Sequence, residues 1–113
     1  LGFRLDSTPG TVYSYSNLGY CTLGHLLEVI AKKSYEQVVQ ELVLVPAGID
    51  PKEMYVGRSQ LKNIPPQEVE YDCVDSQCNR VSSVFPGDGD VFVPYGGWHH
   101  EALAAHGGWV ASG

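Results

Sequence analysis

Positive charge is scarce in this chain: its 113 residues carry 7 Lys and Arg against 13 Asp and Glu, a net charge of -6. Holding a phosphate backbone requires a basic patch, and apart from Lys32-Lys33 the cations are scattered, so nucleic acid is not an expected partner. Long hydrophobic runs are missing as well. A helix crosses a bilayer with ~20 consecutive apolar residues, and no stretch approaches that, so no membrane span is expected in this segment. There is no internal repeat and no low-complexity tract, which excludes repeat arrays. Cysteines are few and odd in number, so even if Cys73 and Cys78 pair across their short loop, Cys21 is left over and the redox compartment stays open. An initiator methionine and a basic-then-apolar leader are both lacking. Ser112 is a good helix N-cap with no helix after it, and the expectation is an internal piece of a larger protein.

What is present suits a soluble globular protein, with 43% hydrophobic and 18% charged residues. The length allows one folding unit, or part of one, and no second domain. Thr8-Pro9-Gly10-Thr11 reads as a turn that delivers an extended stretch over Val12 to Tyr15. From Leu18 the apolar spacing becomes helical, with Leu23, Leu26, Leu27 and Ile30 on one stripe, which predicts an amphipathic helix from about Leu18 to Lys33. Asn17 offers a side-chain oxygen to cap it. Ser34 and Gln37 fit a capping box, and Tyr35, Val38, Val39, Leu42 and Val43 continue as a second helix that must stop before Pro46.

Beyond Ile49 the chain turns to prolines and short extended runs. Val69, Tyr71 and Cys73 alternate with acidic residues as a half-exposed strand does, and Arg80 to Phe85 reads as another. Glycine and proline crowd the stretch from Pro86 to Trp98, predicting an irregular loop, a common setting for a site. A short helix is expected over His100 to Ala105.

The segment Pro9-Gly10-Thr11-Val12-Tyr13-Ser14-Tyr15-Ser16-Asn17-Leu18-Gly19-Tyr20, with Leu23-Gly24 and Glu28 after it, resembles the second conserved element of serine β-lactamases, D-Ala-D-Ala peptidases and their esterase relatives. The resemblance continues through Tyr35 and Val45-Pro46-Ala47-Gly48-Ile49, and returns at Tyr95-Gly96-Gly97 and His106-Gly107-Gly108-Trp109-Val110-Ala111-Ser112. It is weak between about Asp50 and Asp90. Read alone, Tyr-Ser-Asn is better served by packing aromatics and a helix cap; the flanking match reverses that in favour of the family.

The resemblance implies an α/β (α+β) fold of the β-lactamase and DD-peptidase type, with this chain a fragment of its mainly helical portion. It implies an acyl-enzyme hydrolase acting on a β-lactam, a D-Ala-D-Ala peptide or a carboxylic ester, without a cofactor, in the periplasm or outside the cell. Tyr15 would be the general base that assists a serine and then protonates the leaving group. Asn17 would hydrogen-bond the substrate amide and position a lysine, and Ser16 would be a spacer. A phenol titrates near ~10 and is a poor base at neutral pH unless a cation lies close. In the family, a Ser-x-x-Lys pair supplies both nucleophile and cation, and that pair is expected outside this chain. The partners implied are a small-molecule or peptide substrate and the remaining portion of the same hydrolase. A non-catalytic binding or structural module that kept the scaffold is the alternative.

Ser59-Gln60-Leu61-Lys62 satisfies Ser-x-x-Lys literally, but it follows the Tyr element instead of preceding it and lies between Gly57 and Pro65-Pro66, where no long apolar helix can desolvate the lysine. With nine serines and four lysines in the chain, it reads as a chance match. His106-Gly107-Gly108 looks like a glycine-rich approach to a helix of the family, not its His-x-Gly strand. His99, His100 and His106 with Cys73 and Cys78 lack the ligand spacings of a zinc site, so no metal is expected. Tyr95 and Trp98, aromatic faces beside open glycine backbone, are candidates to line an acyl pocket or simply to fill space between loop and helices.

Overall fold

The computed structural model describes residues 4–72 and 80–112. Helix α1 covers Asn17–Ala31. Helix α2 covers Tyr35–Val39 and opens into a π-helical turn, Gln40–Leu44. Four short strands follow, β1 Met54–Val56, β2 Arg80–Ser82, β3 Asp90–Phe92 and β4 Trp109–Ala111, with 3-10 turns at Leu61–Asn63 and Glu101–Leu103. β1 pairs antiparallel with β4 in the register Tyr55 to Val110. β2 pairs antiparallel with β3, Val81 opposite Val91.

The cap of α1 differs from the expectation. Ser16, not Asn17, is the N-cap: its Oγ accepts the Gly19 N–H at 2.9 Å. Asn17 is already helical, so its carboxamide is not the cap. At the other end Lys32 takes the left-handed conformation, φ 54°, where a Cβ crowds the following carbonyl. Lys32→Gly is therefore expected to stabilise the fold by about 1 kcal/mol, read as an upward shift of the thermal unfolding midpoint.

The capping box of α2 is complete, Gln37 N–H to Ser34 Oγ at 3.2 Å and Ser34 N–H to Gln37 Oε1 at 3.1 Å. The widened turn that follows sends the Val45 N–H to the Gln40 carbonyl and the Ile49 N–H to the Leu44 carbonyl, each at 2.9 Å. Pro46 accounts for it. Proline has no N–H to give, and its ring crowds the carbonyl four residues back, a clash that a wider turn relieves.

Inward, α1 presents Cys21, Gly24 and Glu28, three positions on one helical face. Gly24 lies so close to Ala105 that a Cβ built there would stand 2.2 Å from the Ala105 Cβ. The expected apolar stripe of Leu23, Leu26, Leu27 and Ile30 points away from the chain's own body and is exposed. The core is small and forms where α2, β1, β4 and the 3-10 turns meet: Val38, Leu44, Tyr55, Val56 and Ala104 are buried. Tyr35 packs edge-on against Trp109 at 6.4 Å, and Trp109 Nε1–H donates to the Ala104 carbonyl at 2.9 Å.

Three sequence expectations need correction. Val69 to Asp72 is not a strand; Val69 and Tyr71 are exposed, and alternation without a partner strand makes no ladder. Cys73 lies outside the described residues, as does Cys78. The stretch from Pro86 to Trp98 is not wholly irregular, because Asp90–Phe92 forms β3, reached through Gly87 and Gly89 at φ 93° and 64°. The short helix near His100 is only the single 3-10 turn Glu101–Leu103.

Candidate active site

The Tyr15–Asn17 corner is assembled locally. The Thr11 N–H and Oγ1–H both donate to the Thr8 carbonyl, at 3.2 and 2.7 Å, closing a turn with Gly10 at φ 80°. The chain then runs extended into Ser16, φ -148° and ψ 104°. Tyr15 therefore stands on the extended segment and Asn17 on the first turn of α1, with the Ser16 cap between them. Tyr15 is 72% exposed and Asn17 is exposed too. Neither is sealed in an apolar interior, and both are open to a group brought up from outside.

The other half of the region is an anchored polar web that the sequence did not reveal. Ser59 is wholly buried, 0% exposed. Its hydroxyl donates to Glu101 Oε2, its N–H donates to Glu101 Oε1 at 3.2 Å, and its Oγ accepts the His100 N–H at 2.7 Å. Glu101 Oε2 also lies 3.3 Å from His99 Nδ1. Although serine, carboxylate and histidine are all here, the carboxylate sits in the middle. Among the described residues no imidazole is bonded to the serine hydroxyl, and a sealed hydroxyl has no approach for a substrate. Lys62 is exposed on the turn Leu61–Asn63, so the literal Ser-x-x-Lys does not form a desolvated pair.

Burial pushes the Glu101 carboxyl up, but the Ser59 hydroxyl, the N–H groups of Glu101 and Ser59, and the charge of His99 outweigh burial and hold it below its ordinary 4.5. A depressed carboxylate stabilises the fold above its unfolded value and loses that contribution as pH falls. Thermal midpoints should accordingly drop on acidification below about pH 4.5, with a shallower drop in Glu101→Gln. Glu28 is likewise held low, first by the Tyr35 N–H, at 2.9 Å, and then by His25. It thereby clamps α1 to the start of α2.

Of the pocket candidates, Tyr95 is engaged: its hydroxyl accepts the Tyr71 N–H, its ring meets Tyr71 and Phe92 edge-on at 6.1 and 5.8 Å, and it walls a cavity of about 80 Å³ that includes neither Tyr15 nor Asn17. Trp98 is 53% exposed. A crevice of about 490 Å³ opens between α1 and the Glu101 turn, lined by Cys21, Gly24, His25, Glu28 and Tyr35 among others. Cys21 Sγ lies 2.8 Å from His106 Nδ1, so the leftover thiol and one of the three histidines engage each other. Among the described residues no three metal-binding side chains converge, and Cys73 and Cys78 fall outside them.

Comparison with known proteins adds the following. The Beta-lactamase family model matches residues 3–112. Over 70 residues the chain is 36% identical to a probable fimbrial assembly protein, FimD, of Dichelobacter nodosus, a match that takes in 61% of this chain and 16% of that protein. No solved structure matches significantly.

Proposed function

This chain belongs to the Beta-lactamase family, and from that premise we propose that it supplies the Tyr15–Asn17 element of a serine hydrolase that forms an acyl-enzyme on a β-lactam, a D-Ala-D-Ala peptide or a carboxylic ester. The observation that carries the proposal is the contrast between two serines. Ser16 lies on an open corner between an exposed phenol and an exposed carboxamide, whereas Ser59, which alone has a lysine three residues on, is buried and donates its proton to Glu101. The nucleophile is proposed to come from another part of the protein, as the Ser-x-x-Lys pair of the family. Its hydroxyl oxygen attacks the acyl carbon as Tyr15 takes the proton, Tyr15 returns that proton to the leaving group, and water then releases the acyl group. Asn17 holds the substrate amide. Tyr95 and Trp98 are proposed to border the acyl pocket.

The surface supports a larger body. Much of the described surface is apolar: Leu18, Leu23, Leu26, Leu27 and Ile30 of α1 and Leu42, Val43 and Val45 beyond α2 are all exposed. The remaining portion of the same hydrolase is the proposed cover.

A second reading, a binding or structural module without catalysis, is favoured by one observation, that the Dichelobacter nodosus relative is a probable fimbrial assembly protein. Incubating the intact protein with labelled penicillin, a fluorophosphonate and a nitrophenyl ester separates the two. Acylation or turnover with any of them supports the hydrolase; no mass gain and no ester hydrolysis establishes the module instead.

A further inference from the structure

We propose that Ser16 is a positioning residue for acyl transfer, acting through the cap it places on α1 and not as a spacer; this rests on the reading of Tyr15 and Asn17 given above. Its Oγ accepts the Gly19 N–H at 2.9 Å and its carbonyl accepts the Tyr20 N–H at 3.3 Å. Two hydrogen bonds from one residue therefore fix the direction in which the extended segment meets the helix. That direction matters because the two residues it orients, Tyr15 and Asn17, flank it in sequence and are exposed. An exposed side chain has little packing to hold its aim, so the backbone beneath it sets the aim. Acyl transfer is sensitive to such errors, since a misplacement of about 1 Å can cost a hundredfold in rate.

Gly19 belongs to the same device. A Cβ there would stand 3.2 Å from Ser16 Oγ and 3.4 Å from its Cβ, closer than most Cβ atoms approach a neighbour. A side chain at Gly19 would need the Ser16 hydroxyl to give by a few tenths of an ångström.

The second cap of the chain provides the control. Ser34 makes the same bond to the Gln37 N–H at 3.2 Å, at the start of α2. In the intact protein, single-turnover acylation by a nitrophenyl ester is measured for Ser16→Ala, Ser16→Asp, Ser34→Ala and Tyr15→Phe. Loss of a cap corresponds to about a tenfold slower acylation in Ser16→Ala. Ser16→Asp, which keeps a cap acceptor, returns to within about threefold of the parent, and Ser34→Ala matches the parent while unfolding at a lower temperature. The proposal is overturned if Ser16→Ala acylates at the parent rate, if Ser34→Ala slows acylation equally, or if Ser16→Asp is as slow as Ser16→Ala. Tyr15→Phe at the parent rate removes the underlying reading of the corner, a result distinct from any of those three.

Discussion

If Tyr15 is the general base proposed above, replacing it with Phe in the intact protein is expected to slow acylation by about a hundredfold to ten-thousandfold, the usual contribution of such a base, while stability changes by no more than about 0.5 kcal/mol. The two halves of that expectation have separate causes. Tyr15 is 72% exposed, so deleting its hydroxyl removes no buried contact, and the whole effect falls on proton transfer. Ser59→Ala should show the opposite pattern. It leaves the Glu101 carboxylate and the His100 N–H short of a partner they now have, a loss of about 1–3 kcal/mol in stability, while the folded protein acylates at the parent rate. Rapid-mixing kinetics and thermal melts on the two variants give both readouts. A thousandfold acylation loss in Ser59→Ala would reassign the nucleophile.

The second large effect is structural. Gly24→Val is expected to destabilise the fold by about 3 kcal/mol or more, at the upper end for overpacking, because even the first carbon of the new side chain would overlap Ala105. Relief should be specific to that partner. Gly24→Ala alone is clearly destabilising, and the swap Gly24→Ala with Ala105→Gly recovers part of the loss, giving a coupling energy of about 1 kcal/mol in a double-mutant cycle. Simple additivity would show that α1 does not cross the Ala105 segment at this distance. The contact bears on function because α1 begins at the Tyr15–Asn17 corner, and Gly24 helps fix that helix to the rest of the described chain, together with Glu28 and the Cys21–His106 contact.

The parts of this fold that were legible in the sequence are those encoded locally. The capping box of Ser34 and Gln37 depends on residues three apart, and the helical spacing after Leu18 depends on one face. Both can be read without knowing where the chain goes next. The β1–β4 ladder joins Met54 to Ala111, a pairing no local pattern announces. Val69 to Asp72 failed in the reverse direction, since alternation marks a strand only when a partner lies alongside. The web around Ser59 was hidden for the same reason: its partners are 41 and 42 residues away.

The Tyr15–Asn17 corner was visible as a motif with matching flanks, yet the division of labour within it was misread. Asn17 and Ser16 are both good capping residues, and the sequence did not say which stood outside the helix. Neither position has the Glu or Gln three residues on that completes a capping box, so no local signal separated them. Tyr95 shows the remaining limit. Its glycine surroundings left a pocket wall and a space filler equally open, and its contacts with Tyr71 and Phe92 depend on how two distant segments fold together.

The most direct measurement is peptide mapping of the intact protein after covalent labelling with a fluorophosphonate or labelled penicillin, with Tyr15→Phe alongside. One adduct is expected, on none of the nine serines of this chain, and it forms much more slowly in the Tyr15 variant. An adduct on Ser59 or another of these serines, or labelling indifferent to Tyr15, contradicts the assignment of the corner to acyl transfer.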